Sequence, residues 1–462
     1  MSVDRVERTA RPLRVAVVGA GPAGVFTSDI LTRQEVPIRV DLFERLHAPY
    51  GLVRYGVAPD HPRIKAIIAS LHDVLDRGDV RLVTGVDVGR DVELARLREA
   101  YDAVILATGA DEDADLPIPG IDLEGSFGAS RFVSWYDAHP DAPADWPLDS
   151  PHVAVIGAGN VAIDVARMLA KHADDLLSTE IPDHVYDALR DSQVTDVHVF
   201  ARRGPAEAAF SPLELRELGE VPGVDVIVDP DDMVFDRSSE ALMAASNQRR
   251  MIARILQGWA DRDPSALQAS RRIHLHFMQA PHALVGDGRV EAITVERTRH
   301  RVNGTVEGTG SLRTYPLGQV YRAIGYASSE VPGAPFDHGL RRIPHAEGRV
   351  FDDVGEPLPG LYVSGWIKRG PVGLIGSTKS DSLQTVGSLI ADHESGRLCG
   401  SAGEDPLSTL LASTGVDYGD WGGWLRIDTS ERDAGAGRGR ERVKIHRRDV
   451  LAAISRGEEV SV

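Results

Sequence analysis

Two α/β domains, each built on a doubly wound parallel sheet, are predicted by three observations. Two segments, LRVAVVGAGPAG from Leu13 and HVAVIGAGNVA from His152, each run from a β-branched stretch through a glycine-rich turn into an apolar helical pattern, the opening of a βαβ unit. Strands and helices then alternate along the chain, as in sheets whose parallel strands are covered on both faces. Finally, 462 residues exceed what one hydrophobic core usually serves.

The elements follow in order. IRVDLF (38–43) closes the first unit. Asp60 and Pro62 are start signals for an apolar-periodic helix over Arg63–Leu75. YDAVILA (101–107) is a strand that ends at Thr108-Gly109. Residues 111–151 are rich in Pro, Asp and Gly and read as the crossing between domains. After the second glycine turn, the polar helical stretch 171–193 reads as an insertion, and DVHVF (196–200) closes the second unit. LYVS (361–364) is a late strand ending at Gly365-Trp366. AGAGRGR (434–440) reads as a flexible linker before a basic segment and a short helix at 449–454.

Composition removes several function classes. Lys and Arg total 51 against 69 Asp and Glu, a net charge of −18 that disfavours nucleic acid and anionic membranes. A single cysteine, Cys399, excludes an intramolecular disulfide, a Cys-x-x-Cys centre, a four-thiolate cluster and a thiolate zinc site. No metal site is expected. The opening residues carry no apolar core of a signal sequence, and no run is long enough to span a bilayer, so the expected location is the cytoplasm.

Gly19, Gly21 and Gly24 make G-x-G-x-x-G directly after a strand. The first permits the tight turn, the second lets backbone approach a pyrophosphate, and the third lets helix pack on strand. The helix N-terminus then faces that phosphate with free N–H groups. Glu44, 25 residues after Gly19, can accept from both hydroxyls of an adenosine ribose and would repel a 2′-phosphate, which suits FAD or NAD. Gly157, Gly159 and Ala162 repeat the turn as G-x-G-x-x-A. There the next strand ends in Arg202-Arg203, which can bind a 2′-phosphate, so this site suits NADP. The 45 residues from Gly157 to Arg202 exceed the usual spacing of about 20, which the insertion explains. Together the two sites suggest hydride passing from a nicotinamide to a flavin.

YGLVRYGVAPDHP (50–62), GAGNVAIDVAR (157–167), ARRGPAEAAFSPLELREL (201–218) and GWIKRGPVGLIG (365–376) occur in that order. With them the chain resembles the adrenodoxin reductase family, and within it the actinobacterial-type ferredoxin–NADP reductases. The resemblance implies two nested Rossmann-like domains. Residues 1–110 and 330–462 would hold FAD, and 111–329 would hold NADP(H). It implies FAD contacts at Ala23, Glu44, Leu52, Val88, Thr108, Gly109, Trp366 and the run Gly373-Leu374-Ile375, with Gly373 shared with the nicotinamide. NADP contacts would come from Gly159, Asn160, Val161, Ala162, Arg202, Arg203 and Glu214. His61 and Glu214 would stand beside the reacting rings, a neutral His61 positioning the nicotinamide or relaying a proton. Gly365 is followed by Trp366 where double-dinucleotide disulfide reductases usually carry Asp, which separates the two groups. Residues 376–380, GSTKS, depart from the Thr-Asn-rich stretch expected there.

The reaction implied is hydride transfer from NADPH to FAD, then single electrons to a ferredoxin. Docking of that acidic partner is expected on Arg249, Arg250 and Arg254, helically spaced, or on Arg271 and Arg272, with the basic tail (Arg438 to Arg448) a lesser candidate. The family suggests a monomer. Rival readings are an NADPH oxidase or diaphorase, a flavin monooxygenase (whose F-x-G-x-x-x-H signature is missing) and a redox sensor without turnover.

Overall fold

The computed structural model describes residues 11–301, 305–373, 375–398, 405–412 and 414–460. In it LRVAVV forms a strand, Leu13–Val18, buried along its whole length. Val15 and Val17 enter one hydrophobic core while Ala16 and Val18 enter another, so both faces of this sheet are covered. The sheet has seven strands, in the order His345–Ala346, Arg349–Phe351, Pro357–Val363, Ala103–Leu106, Leu13–Val18, Ile38–Glu44, Val80–Thr84. Its last five run parallel, and the 345–363 end is an antiparallel edge. Strands from both ends of the chain therefore share one sheet.

The second sheet draws only on the middle of the chain. Its six parallel strands are Ser126–Gly128, Gln319–Arg322, His152–Ile156, Asp196–Phe200, Arg271–His276 and Val224–Val228. Val153 and Val155 face a helical core, and Ala154 and Ile156 face a different cover. That cover is a three-stranded antiparallel sheet, Gln279–Val285, Ala292–His300 and Val306–Pro316, in place of the helices a doubly wound sheet is expected to have on each face. A two-stranded pairing of Tyr326–Ala327 with Glu112–Asp113 joins the outgoing and returning crossings.

Two stretches differ from their sequence reading. The crossing 111–151 contains a helix, Ala129–Tyr136, whose Phe132, Trp135 and Tyr136 are core residues. The expected linker at 434–440 instead finishes a helix, Trp421–Ala436, with Gly435 packed against Arg442. An alanine usually stabilises a helix over glycine by about 0.5–1 kcal/mol. At Gly435 the opposite is expected, because a Cβ there would stand 2.4 Å from the Arg442 Cα. Gly435→Ala should therefore lower the thermal unfolding midpoint; an unchanged or raised midpoint would show that the tail does not pack on this helix.

Candidate functional site

The first glycine turn opens where the parallel strands end. Gly19 has φ +103°, and a Cβ on it would lie 2.6 Å from the Ala107 carbonyl oxygen, so only glycine fits between the two strand ends. Gly24 is buried beneath the turn, where a Cβ would overlap the Gly19 carbonyl. The helix Pro22–Thr32 starts directly above, with Pro at its first position. Gly21, Ala23, Leu52, Gly109 and Trp366 line a mostly apolar cavity of about 290 Å³ at this point. A neighbouring cavity of about 590 Å³ has Val88 in its wall, and Gly19, Glu44 and Thr108 belong to both. The two therefore adjoin. Glu44 Oε2 accepts from the Ala20 N–H at 2.9 Å and Oε1 from the Leu46 N–H at 3.0 Å. Burial raises its pKa despite these bonds. A carboxylate oxygen can accept more than one hydrogen bond, so both stay available to the cleft.

The second turn is built alike. Gly157 has φ +147°, and its Cβ would lie 2.2 Å from the Ala323 carbonyl oxygen. Ala162 is buried under the turn in the place of the third glycine. Gly157, Gly159, Asn160, Val161, Arg202, Arg203 and Gly373 line a cavity of about 970 Å³. Asn160 Oδ1 accepts from the Ser211 N–H at 2.8 Å, which fixes the turn. Arg202 and Arg203 are exposed, and among the described residues neither has a carboxylate partner. Their backbone carbonyls are held by Thr298 Oγ1 at 2.7 Å and the Met278 N–H at 3.1 Å. Two guanidinium groups on a fixed backbone, with no protein anion to satisfy them, suit a phosphate. Val161, Tyr326 and Trp366 belong to this cavity and to the apolar one, so the three cavities adjoin in a row.

His61 and Glu214 come together, but neither lines these cavities. His61 Nε2 lies 2.9 Å from Glu214 and 2.8 Å from Asp164, and Nδ1 lies 3.2 Å from Glu217. The Arg167 guanidinium also lies against His61 Nε2, pairs with Asp60 at 2.9 Å and approaches Glu214 at 3.5 Å. Burial opposes charge on the ring, but hydrogen bonds to Asp164 and Glu214 overcome it and raise the His61 pKa to about 9. The expected neutral imidazole is therefore corrected to an imidazolium at pH 7. His61, Glu214 and Glu217 also form the one metal-like trio among the described residues, and Arg167 already sets a cation against two of them.

That pKa gives stability a sign. A group raised from about 6.5 in the unfolded chain to about 9 when folded contributes fully below pH 6.5 and loses its contribution as pH rises through 9. Chemical unfolding of the wild type should weaken between pH 6.5 and 9, and His61→Asn should flatten that slope. Parallel profiles for the two proteins would refute the assignment.

Full-length likeness decides the family. The structure of Mycobacterium tuberculosis FprA in complex with NADPH superposes with a TM-score of 0.90 at 38% identity, covering 97% of this chain and all of that one. The chain belongs to the adrenodoxin reductase family. Within it, the FprA NADPH-ferredoxin reductase of M. tuberculosis H37Rv is 39% identical over 94% of this chain and 97% of its own. The mitochondrial NADPH:adrenodoxin oxidoreductase of Arabidopsis thaliana is 36% identical over 96% of each. The pyridine nucleotide-disulphide oxidoreductase profile matches residues 13–204. As an adrenodoxin reductase relative with a single cysteine, the chain has no thiol pair, and Cys399 falls outside the described residues.

The arginines expected to dock a partner divide. Arg249, Arg250 and Arg254 sit on the helix Asn247–Ala260. Arg249 donates to the Ala206 carbonyl at 2.6 Å and Arg250 to the Met243 carbonyl at 2.6 Å, while Arg254 is exposed. Arg271 and Arg272 are held more firmly. Arg272 is bound by both oxygens of Asp196 at 2.7 and 2.8 Å, and Arg271 donates to the Lys171 carbonyl at 2.7 Å. Both start their strand, at the edge opposite the glycine turns. Leu374 lies outside the described residues, and Ile375 opens the helix Ile375–Glu394.

Sequence reasoning passed over Arg45, His139 and Asp141 in the first cleft, and Tyr326 at the junction. Tyr326 carried a signal. It follows Gly325 at the end of a strand, as Gly109 ends the 103–106 strand in the first domain.

Proposed function

We propose that this protein is an FAD-dependent ferredoxin–NADP reductase. The observation that carries the reading is the row of adjoining cavities, with a ribose-type carboxylate where the first two meet and, at the far end, two arginines that have no carboxylate partner among the described residues. The cradle fits the cofactors by exclusion of side chains, since a Cβ at Gly19 or Gly157 would strike backbone. FAD, when bound, supplies an acceptor for the hydride of NADPH and a donor of single electrons to an iron–sulfur protein. Residues 1–110 and 330–462 form the FAD domain and 111–329 the NADP domain, a division supported by the origin of the strands in each sheet.

The chain's own contribution is placement. Gly19, Gly21 and Ala23 with the helix N-terminus at Pro22 receive the FAD pyrophosphate, Glu44 its ribose, and Leu52, Val88, Thr108, Gly109 and Trp366 enclose the rest. Gly159, Asn160 and Val161 receive the NADP pyrophosphate, and Arg202 and Arg203 its 2′-phosphate. His61 and Glu214 act as positioning residues. Through Arg167 they tie the 58–62 segment to the helix Asn160–Ala170, whose N-terminus is the second nucleotide turn. Apolar walls around Trp366 keep water from the reacting rings. Arg254, with Arg250 beside it, is the docking site for an acidic ferredoxin.

No helix among the described residues is long and apolar enough to cross a membrane, and the enzyme is proposed to act as a cytoplasmic monomer. Anaerobic stopped-flow mixing with NADPH and, separately, NADH tests the reading. Fast loss of oxidised-flavin absorbance with strong NADPH preference is the expected result. A protein that takes up no FAD, or a yellow one that NADPH does not bleach, would overturn it. Oxygen consumption without stimulation by ferredoxin would instead indicate an oxidase.

A further inference from the structure

We infer that Tyr326 is the positioning residue for the nicotinamide, an inference that rests on the proposed FAD and NADP sites. Three residues, Val161, Tyr326 and Trp366, belong both to the apolar cavity and to the cavity of the second glycine turn, so they frame the passage between them. A nicotinamide held by its phosphates at Gly159 must lie in this passage to meet a flavin in the apolar cavity. Two of its three jambs are aromatic. The rings of Tyr326 and Trp366 have centroids 6.0 Å apart and are tilted by 31°, and an aromatic face at the passage can contact a flat ring lying there.

The Tyr326 ring stands on fixed backbone. Tyr326 pairs antiparallel with Asp113, and Ala327 with Glu112, so the residue belongs to the two-stranded link by which the chain leaves and re-enters the first domain. Asp113 is held in turn by the Ser130 N–H at 2.9 Å and the Ser130 hydroxyl at 2.5 Å, at the start of the helix Ala129–Tyr136. Gly128 leaves no room for a side chain beside that carboxylate. The ring is thus tied to the core of the second domain while it faces the cavity of the first. A group so mounted can set the angle and depth of the nicotinamide without touching the phosphate end.

The test compares two ligands on the FAD-loaded wild type, Tyr326→Phe and Tyr326→Ala. NADP⁺ carries a nicotinamide; 2′,5′-ADP carries the same adenosine and 2′-phosphate without it. Tyr326→Ala should weaken NADP⁺ binding by about three- to ten-fold, the worth of one aromatic contact, and reduce the flavin absorbance change at saturation. Its affinity for 2′,5′-ADP should match the wild type, and Tyr326→Phe should restore NADP⁺ binding to within about two-fold. Equal losses for both ligands would mean a merely structural role and overturn the inference. So would an unchanged or tighter affinity for NADP⁺ in the Ala variant, the latter marking the ring as an obstruction. A wild type that binds neither FAD nor 2′,5′-ADP would instead refute the underlying cofactor assignment.

Discussion

Replacing Arg202 and Arg203 by alanine is expected to raise the Michaelis constant for NADPH steeply and leave that for NADH almost unchanged. Each arginine stands exposed just beyond the strand Asp196–Phe200, without a carboxylate partner among the described residues. A phosphate bound there gains charge-assisted hydrogen bonds worth roughly 1.5–3 kcal/mol per contact, equivalent to about 10- to 150-fold in affinity. The arginines are neighbours, so the double variant should lose less than the sum of the single losses. NADH has no 2′-phosphate and cannot feel the change. The effect should shrink with added salt, because exposed charges are screened. Steady-state kinetics with both nucleotides at two ionic strengths would measure it, and an equal loss with NADPH and NADH would sink the 2′-phosphate assignment.

Both glycine turns were legible in the sequence because they are local. A β-branched strand, a turn that demands positive φ and an apolar helix lie within about 20 residues, and Asp196–Phe200 falls where its pattern ends. The cover on the second sheet was not legible. Val306–Pro316 is a long strand, but nearly all of its residues are exposed or half-buried and three are Gly or Ser, so no alternation marks it. Charge was the least legible property. Arg250 and Arg272 look alike in sequence, yet Asp196, 76 residues away, neutralises one of them. His61 fails for the same reason. Its cationic form depends on Asp164 and Glu214, brought to it by the fold from over 100 residues away. The tail misled differently. Small, basic residues usually mark a solvated linker, but here they enter a buried ionic group.

Lys444→Met should be among the most damaging single changes away from the cavities. Lys444 Nζ lies 2.9 Å from Asp137, 2.7 Å from Glu180 and 2.6 Å from the Arg54 carbonyl, and the residue is 3% exposed. Lys65 meets the same two carboxylates at 3.2 and 2.5 Å, and Arg442 reaches Glu180 at 3.7 Å, so these anions are balanced by buried cations out of water. Burial works against the Glu180 charge, but the two lysines hold its pKa well below the ordinary range. Removing one partner of such a group costs about 3–5 kcal/mol, since the remaining charge stays buried without compensation. The damage should reach the flavin cavity. Lys444 is 5.9 Å from the centre of the Tyr55 ring, which lines that cavity, and its bond to the Arg54 carbonyl holds the same short helix, Leu52–Tyr55. Differential scanning fluorimetry should therefore show a lower melting temperature and earlier release of FAD. Unchanged values for both would refute a supporting role for the tail. Adding Asp137→Asn to Lys444→Met should return part of the loss, because the carboxylate left short of a cation is then neutral. If the charge imbalance is not the cause, the double variant will be no better than the single one.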